Sequence, residues 1–383
     1  MSGYGGGNYY IDENMRNILL KLLEEYMREN SNFPNSYEEF TQNNFNYCDL
    51  FRNTYQLIYR TNPQNIENED RCKYLYESLI NVTYKLSYED MEINDNVWFY
   101  ISKLINLVSI GLKNNIISKI EGLDYLTNLE SLDLSNNNIS KIEGLNNLNN
   151  LGYLDLSNNN ISKIEGLYKL TKLKFLYLSN NNISKIEGLN NLISLIYLNL
   201  SNNNISKIEG LNNLTKLTYL HITNNNISKI EGLNNLTRLG YLNLSNNNIS
   251  KIEGLDKIED LFYLILSNNN ISDIRELYKS KNIDYIDLYN NNIKNIEGLN
   301  NLEDLKSLDL SHNYISKNDI SKIFNKLNSM DLSNIINNPA YDNVVFDNFI
   351  LQIIKNGNKI INYSYPDSNY VDVFITEDML EKY

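Results

Sequence analysis

The chain has 383 residues, more than one compact core usually holds, which favours two or three structural units. Its 34 Lys and Arg against 47 Asp and Glu give a formal net charge of −13. That charge argues against nucleic acid or an anionic membrane surface as the main partner. Two cysteines and two histidines are too few for a disulfide framework or for His-based metal sites, so we expect no metal and no cofactor.

The N-terminal part carries helical patterns rather than repeats. Residues 1–10, which begin Met-Ser-Gly-Tyr-Gly-Gly-Gly, are predicted to be a disordered tail. Apolar residues at helical spacing predict an amphipathic helix over residues 11–29, and similar patterns run over 47–60 and 70–86. We therefore predict a helical N-terminal region over residues 11–106. One hypothesis is that this region acts as an adaptor that recruits other machinery.

The end of that region is predicted to be a cap. Trp98, Ile101 and Leu104 keep the phase of the last three apolar positions of the repeat that follows. A solenoid needs its exposed end covered. We therefore expect this segment to lie over the first repeat.

A 22-residue repeat begins at Leu107. It reads Leu-x-x-Leu-x-Leu-x-x-Asn-x-Ile-x-x-Ile-Glu-Gly-Leu-x-x-Leu-x-x, and we assign about 10–11 units to residues 107–338. Units open with Leu or Ile at 107, 129, 151, 173, 195, 217, 239, 261, 283, 305 and 327.

Each unit is predicted to form one short strand, a turn and an irregular return. The Asn of the repeat, such as Asn137, is predicted to satisfy backbone groups at the turn. One unit cannot bury its own apolar face, so the units must stack. The expected fold is an α/β leucine-rich repeat solenoid, curved, with a parallel β-sheet on its concave face.

Two parts of the array depart from the repeat. In the unit that starts at Leu261, Ser-Asp-Ile-Arg-Glu-Leu replaces Ser-Lys-Ile-Glu-Gly-Leu, which predicts a local change on the convex or turn side. Asn337-Asn338-Pro339 ends the array, and residues 339–383 are predicted to be a C-terminal cap or extension.

The concave face offers the candidate binding site. The position before the second Leu of each unit is aromatic in seven consecutive units: Tyr153, Phe175, Tyr197, Tyr219, Tyr241, Tyr263 and Tyr285. We call these the first column. Two positions further on, on the same face, lies the second column: Asp133, Asp155, Tyr177, Asn199, His221, Asn243, Ile265, Asp287 and Asp309. An aromatic centre with an acidic rim suits a protein partner with a basic or mixed surface.

The Ile-Glu-Gly-Leu step and the 22-residue spacing resemble the SDS22-like class of leucine-rich repeats. That resemblance implies a regulatory subunit that binds a Ser/Thr protein phosphatase. Concave acids and aromatics would take part, at Asp133, Asp155, Asp287 and Asp309 with the first column.

Copying of nearly identical repeats is the alternative explanation for the aromatic column. Duplication alone would propagate a Tyr, which suits strands. The second column nevertheless differs from copy to copy, as does the position that starts at Glu130. Variation at strand positions favours binding there.

The predicted function is therefore non-catalytic protein–protein interaction. No Gly-rich phosphate loop, Cys/His pair or metal-ligand spacing indicates an enzyme. A monomer is expected.

Location is predicted from two further observations. The start lacks a basic region followed by an apolar run, and no apolar stretch is long enough to span a bilayer. Asn-Ile-Ser recurs in seven units, and a secreted chain could be glycosylated at each copy. A cytoplasmic location is expected. The copies lie at Asn138, Asn160, Asn182, Asn204, Asn226, Asn248 and Asn270.

Overall fold

The computed structural model describes residues 85–315 apart from 88, 91, 96, 103, 300, 301, 303, 304 and 306. These residues form one sheet of eleven parallel strands in sequence order, each hydrogen-bonded to the next. The solenoid with a parallel sheet is confirmed. The strands are β1 Lys85–Ser87, β2 Ser109–Gly111, β3 Ser131–Asp133, β4 Tyr153–Asp155, β5 Phe175–Tyr177, β6 Tyr197–Asn199, β7 Tyr219–His221, β8 Tyr241–Asn243, β9 Tyr263–Ile265, β10 Tyr285–Asp287 and β11 Ser307–Asp309.

Few helices accompany the strands within the described range. One short α-helix, α1, spans Val97–Ile101 ahead of β2. Two 3₁₀ helices, Arg275–Lys279 and Glu297–Leu299, lie in the returns that follow β9 and β10.

The three-residue strands alternate between core and surface. Leu154 of β4 is fully buried, while its neighbours Tyr153 and Asp155 are half-buried on the opposite face. This alternation follows because successive strand residues point to opposite sides of the sheet. Leu154 pairs with Leu176 of β5, 22 residues further on. The repeat period predicted from the sequence is therefore the strand-to-strand register.

One continuous apolar core runs behind the sheet. A single unit contributes seven side chains to it, all at most 1% exposed: Leu151, Leu154, Leu156, Ile161, Ile164, Leu167 and Leu170. Burying each side chain contributes about 1.5–3 kcal/mol. Since each layer is covered by the layers on either side, the stability of a unit depends on its neighbours.

The repeat asparagines hold the turns, as the sequence predicted. Asn203 is buried, and its Nδ2 donates to the carbonyls of Leu178, Leu200 and Ser201 at 2.9, 3.1 and 3.2 Å. Its Oδ1 accepts the backbone N–H of Ile183 at 2.9 Å. One amide therefore satisfies four backbone groups and links two units.

Glycine in the Ile-Glu-Gly-Leu step is required by the backbone. Gly254 has φ +74°, in the left-handed region that L side chains disfavour. A Cβ added there would lie 2.6 Å from the carbonyl oxygen of Ile230 in the preceding unit. Glycine is therefore required at this position both by the positive φ and by the close packing against the preceding unit.

The predicted departure in the ninth strand's unit is confirmed on the return side. Glu276 stands where the other units have the glycine, and the return forms the 3₁₀ helix Arg275–Lys279. Asp273 accepts from Arg275 through both carboxylate oxygens, with Nη2–Oδ2 at 2.7 Å. Since Glu276 has no positive φ, the return changes its conformation.

The N-terminal end differs in part from the prediction. Lys85–Ser87 is strand β1, where the pattern over 70–86 predicted helix. Leu86 pairs with Ile110, 24 residues on, so an extra strand extends the sheet before the first repeat. The prediction of a helix was wrong at residues 85 and 86 because a three-residue strand is too short for its alternating pattern to be recognised in the sequence.

The segment predicted to be a cap packs against the first repeat. Trp98, Ile101 and Leu104 are buried in the common core. The indole Nε1 of Trp98 donates to the carbonyl of Lys119 at 2.6 Å, and Asp95 accepts from the backbone N–H groups of Ser118 and Lys119. The predictions of the tail 1–10, the helices before residue 85, the last repeat unit and the C-terminal cap 339–383 lie outside the described residues.

Candidate protein-interaction face

The first column lies on the strand face opposite the core, as predicted. Its exposure alternates from strand to strand. Phe175, Tyr219 and Tyr263 are 37%, 45% and 48% exposed, on β5, β7 and β9. The rings on β4, β6, β8 and β10 are only half-buried, not exposed: Tyr153, Tyr197, Tyr241 and Tyr285.

The second column explains this alternation. Tyr177 of β5 packs between the rings of Tyr153 and Tyr197, with centroids 5.4 and 4.8 Å apart. His221 of β7 packs in the same way between Tyr197 and Tyr241, at 5.2 and 4.8 Å. Bulky second-column residues on odd strands therefore cover first-column rings on even strands.

First-column rings also contact each other along the array. Neighbouring rings from Tyr197 to Tyr285 have centroid distances of 6.2, 6.2, 6.1 and 6.0 Å and interplanar angles of 35–39°. These distances lie within the range of favourable aromatic pairs. The rings between β4 and β10 form one continuous surface, which we call the aromatic ribbon and define as the first column with Tyr177 and His221.

The predicted acidic residues have a second role that the sequence analysis missed. Oδ1 of Asp155 accepts both the backbone N–H and the hydroxyl of Ser157, at 2.8 and 2.6 Å. Asp133 and Asp309 make the same pair of bonds to Ser135 and Ser311. The Asp-x-Ser step could have indicated this local bond.

Amide side chains in the same column replace the acids without loss of that contact. Asn243 Oδ1 accepts the backbone N–H and hydroxyl of Ser245 at 3.0 and 2.7 Å. Asn199 Oδ1 accepts the N–H of Ser201 at 3.0 Å. Either a carboxylate or an amide oxygen can therefore make this contact, so a negative charge at this position is optional.

The acids occur as a pair at each end of the ribbon. Asp133 of β3 is the register partner of Asp155 of β4, and Asp287 of β10 is the partner of Asp309 of β11. Burial raises the pKa of Asp155, and repulsion from Asp133 adds to the increase. Burial likewise raises the pKa of Asp309 to about 6, with a further contribution from Asp287.

Tyr153, Tyr177 and His221 are uncharged at neutral pH. Burial, followed by the nearby carboxylates, raises the pKa of Tyr153 and of Tyr177. Burial lowers the pKa of His221, because the imidazolium is poorly solvated between the rings. The face is therefore neutral and aromatic at its centre and acidic at both ends.

Within the described stretch from 85 to 315, no group of three His, Cys, Asp or Glu side chains is placed to hold a metal ion. No helix in that stretch is long and apolar enough to cross a membrane.

Sequence comparison identifies the repeats. The family profile described as "Leucine Rich repeats (2 copies)" matches residues 127–169, 149–191, 171–213, 193–235 and 215–257. A second profile, "Leucine Rich Repeat", matches residues 304–327. The chain is a leucine-rich repeat protein. No curated protein sequence matches it at a significant level.

Solved structures of other leucine-rich repeat proteins share the fold. An internalin, InlF of Listeria monocytogenes, is 29% identical with a TM-score of 0.55, over 67% of this chain and 81% of that one. The ectodomain of the receptor kinase GASSHO1/SCHENGEN3 of Arabidopsis thaliana, in complex with Casparian strip integrity factor 2, is 25% identical. Its TM-score is 0.51, over 63% of this chain and 31% of that one.

These similarities extend to the repeat class and the fold. The SDS22-like subclass, predicted from the Ile-Glu-Gly-Leu step, stays a prediction. In this leucine-rich repeat protein, the structure brings every predicted site residue onto one strand face. The alternation of bulky and small polar residues in the second column, readable in the sequence, is the signal that would have predicted the alternating exposure.

Proposed function

We propose that this leucine-rich repeat protein is a non-catalytic scaffold that binds a protein partner through its concave aromatic ribbon. The observation that carries the proposal is the unbroken contact of rings from Tyr153 to Tyr285 on a face where every second ring is exposed. Solenoids of this class are interaction scaffolds in general, and the strand face is their extended binding surface.

The physical chemistry of the ribbon suits a protein interface. Tyr is enriched at interface cores because it buries a large area at a low cost in side-chain entropy. The second-column rings restrict their first-column neighbours, so the surface is organised before a partner arrives. A monomer seldom leaves a contiguous apolar patch of several hundred Å² uncovered without a use.

Charge favours a basic or mixed partner surface. Acid pairs flank the ribbon, and the whole chain carries a net charge of −13. This field attracts a basic protein surface and repels phosphate backbones. We propose a protein ligand, with no nucleic acid or membrane partner, bound by a cytoplasmic monomer.

Related proteins support an interaction role. The Arabidopsis ectodomain is described in complex with Casparian strip integrity factor 2. A phosphatase catalytic subunit is a second candidate partner, favoured by the acid pairs at the positions that the SDS22-like resemblance implies. The adaptor role predicted for residues 11–106, which would recruit other machinery, is a third candidate function.

The test is affinity capture from cell lysate with quantitative mass spectrometry. The ribbon variant carries Tyr197→Ser, Tyr219→Ser and Tyr241→Ser. Its matched control also loses three tyrosines, all exposed and all away from the strands: Tyr125→Ser, Tyr168→Ser and Tyr278→Ser.

We expect the wild type and the control to capture the same partner and the ribbon variant to lose it. A phosphatase catalytic subunit in that position would support the SDS22-like function. Equal capture by all three proteins would contradict the proposal and direct attention to the terminal regions.

A further inference from the structure

The exposed rings of the ribbon repeat every second strand. Phe175, Tyr219 and Tyr263 lie on β5, β7 and β9, so two strand steps of ~4.8 Å place successive exposed rings about 9.6 Å apart. The half-buried rings between them are covered by Tyr177 and His221. A ligand that lies along the ribbon therefore meets protruding rings separated by shallow steps.

One peptide conformation has nearly this repeat. A polyproline II helix has three residues per turn and rises ~3.1 Å per residue, so the same side of the helix returns every ~9.3 Å. An extended β-strand instead returns to the same side every ~6.8 Å. Aromatic-lined grooves commonly receive polyproline II segments, which lose little entropy on binding because they are already ordered.

The acid pairs add a charge requirement at each end. The serine two residues after Asp133, Asp155 or Asp309 donates only to Oδ1 of that aspartate. The second oxygen of Asp133 or Asp309 can therefore accept from a ligand without breaking the turn. Two ionised carboxylates on adjacent strands repel each other: burial is the main cause of the raised pKa of Asp155 and Asp309, and the register partner of each adds to the increase. A ligand cation between them would relieve that repulsion.

Arginine fits these ends better than lysine. Its planar guanidinium can bridge two carboxylate oxygens and can also stack on an aromatic ring. The ring of Tyr153 lies beside the first acid pair, within hydrogen-bond reach of Asp155. Tyr285 precedes Asp287 on β10 beside the second pair.

We propose that the ribbon binds a proline-rich segment in the polyproline II conformation, with an arginine at each end held by one acid pair. The midpoint of the first acid pair lies between β3 and β4 and that of the second between β10 and β11, so seven strand steps, or about 34 Å, separate them. At ~3.1 Å per residue, the two arginines stand about eleven residues apart. The inference rests on the proposed function and specifies the ligand of the same face.

The first test varies the ligand. Fluorescein-labelled peptides with one arginine at each end carry a proline-rich spacer of about 5, 10 or 15 residues, or a Gly-Ser spacer of about 10. Net charge is the same in all four peptides. Fluorescence anisotropy with the full chain should show the strongest binding for the proline-rich spacer of intermediate length. We expect a loss on the order of tenfold for each of the other three.

The second test varies the protein. Asp133→Asn with Asp155→Asn keeps the turn acceptor, as Asn199 and Asn243 do, and removes one acid pair. The control, Glu143→Gln with Glu165→Gln, removes the same charge from exposed residues outside the strands. Affinity for the best peptide should fall about tenfold in the first variant and stay unchanged in the control.

Each outcome bears on the inference. Binding that ignores spacer length, a Gly-Ser spacer as good as the proline-rich one, or equal losses in both charge variants would overturn it. So would the absence of binding by any peptide. None of these results would affect capture of a folded partner that depends on Tyr197, Tyr219 and Tyr241, so failure here is distinguishable from failure of the proposed function.

Discussion

Replacing Asn203 with alanine removes four hydrogen bonds, two of which join its repeat unit to the preceding one. The backbone N–H of Ile183 loses its acceptor in a buried position, and the carbonyls of Leu178, Leu200 and Ser201 lose a shared donor. One buried unsatisfied group costs about 1–3 kcal/mol. Since the carbonyls can bond elsewhere in part, we expect the free energy of unfolding to fall by about 2–4 kcal/mol.

The neighbouring residue supplies the control. Asn204 is exposed, so Asn204→Ala should change the free energy of unfolding by less than ~0.5 kcal/mol. Urea denaturation followed by circular dichroism gives both values. Because repeat arrays can unfold in more than one step, hydrogen exchange at the Ile183 amide provides a local readout. An unchanged midpoint together with a protected Ile183 amide in Asn203→Ala would refute the role assigned to the repeat asparagines.

Three further expectations concern the returns, the acid pairs and the ribbon. Gly254→Ala should destabilise the fold by about 2–4 kcal/mol, because φ is +74° and the new Cβ would contact the carbonyl oxygen of Ile230. The control is Gly152→Ala, where φ is not positive and the nearest atom to a Cβ would be 3.7 Å away. This control should change the melting temperature little. Asp309 has a pKa of about 6 in the folded protein, above its value in the unfolded chain. Because the folded state binds the proton more tightly, the free energy of unfolding should fall as pH rises from about 4 to 6. Asp309→Asn should flatten this slope in urea titrations; an unchanged slope would contradict the burial of that carboxylate. Tyr219→Ala should cost less than about 1.5 kcal/mol while Leu220→Ala on the same strand costs about 2–5, and similar costs would mean that the strand face is misassigned.

The core and the turns were predictable because a single local rule recurs in every unit. Leu154 and Leu156 are separated by one residue, which places both on one side of a strand, and the repeat period then fixes what stacks on them. The role of the Asn in each turn was predictable because an Asn side-chain amide commonly hydrogen-bonds to backbone groups where the chain bends. Repetition made each inference verifiable in the next unit.

Other features depend on contacts between units and were not predicted. Strand β1 pairs with a 24-residue offset, because the return that contains Asp95 is two residues longer than in the repeats. The interleaving of Tyr177 and His221 with the first column depends on side-chain directions across three strands. The double use of Asp155, as turn acceptor and rim charge, was hidden because carboxylate and amide serve the turn equally well.

The most direct measurement of the central claim is photocrosslinking in cells from two equally exposed tyrosines. Tyr219 lies on the ribbon and is 45% exposed, while Tyr168 lies on a return segment and is 52% exposed. Benzoylphenylalanine at either position has the same reach and nearly the same access to solvent. We predict that the probe at Tyr219 crosslinks one discrete protein that the probe at Tyr168 does not. Identical crosslinked products from both positions, or none from Tyr219, would contradict a binding function for the aromatic ribbon.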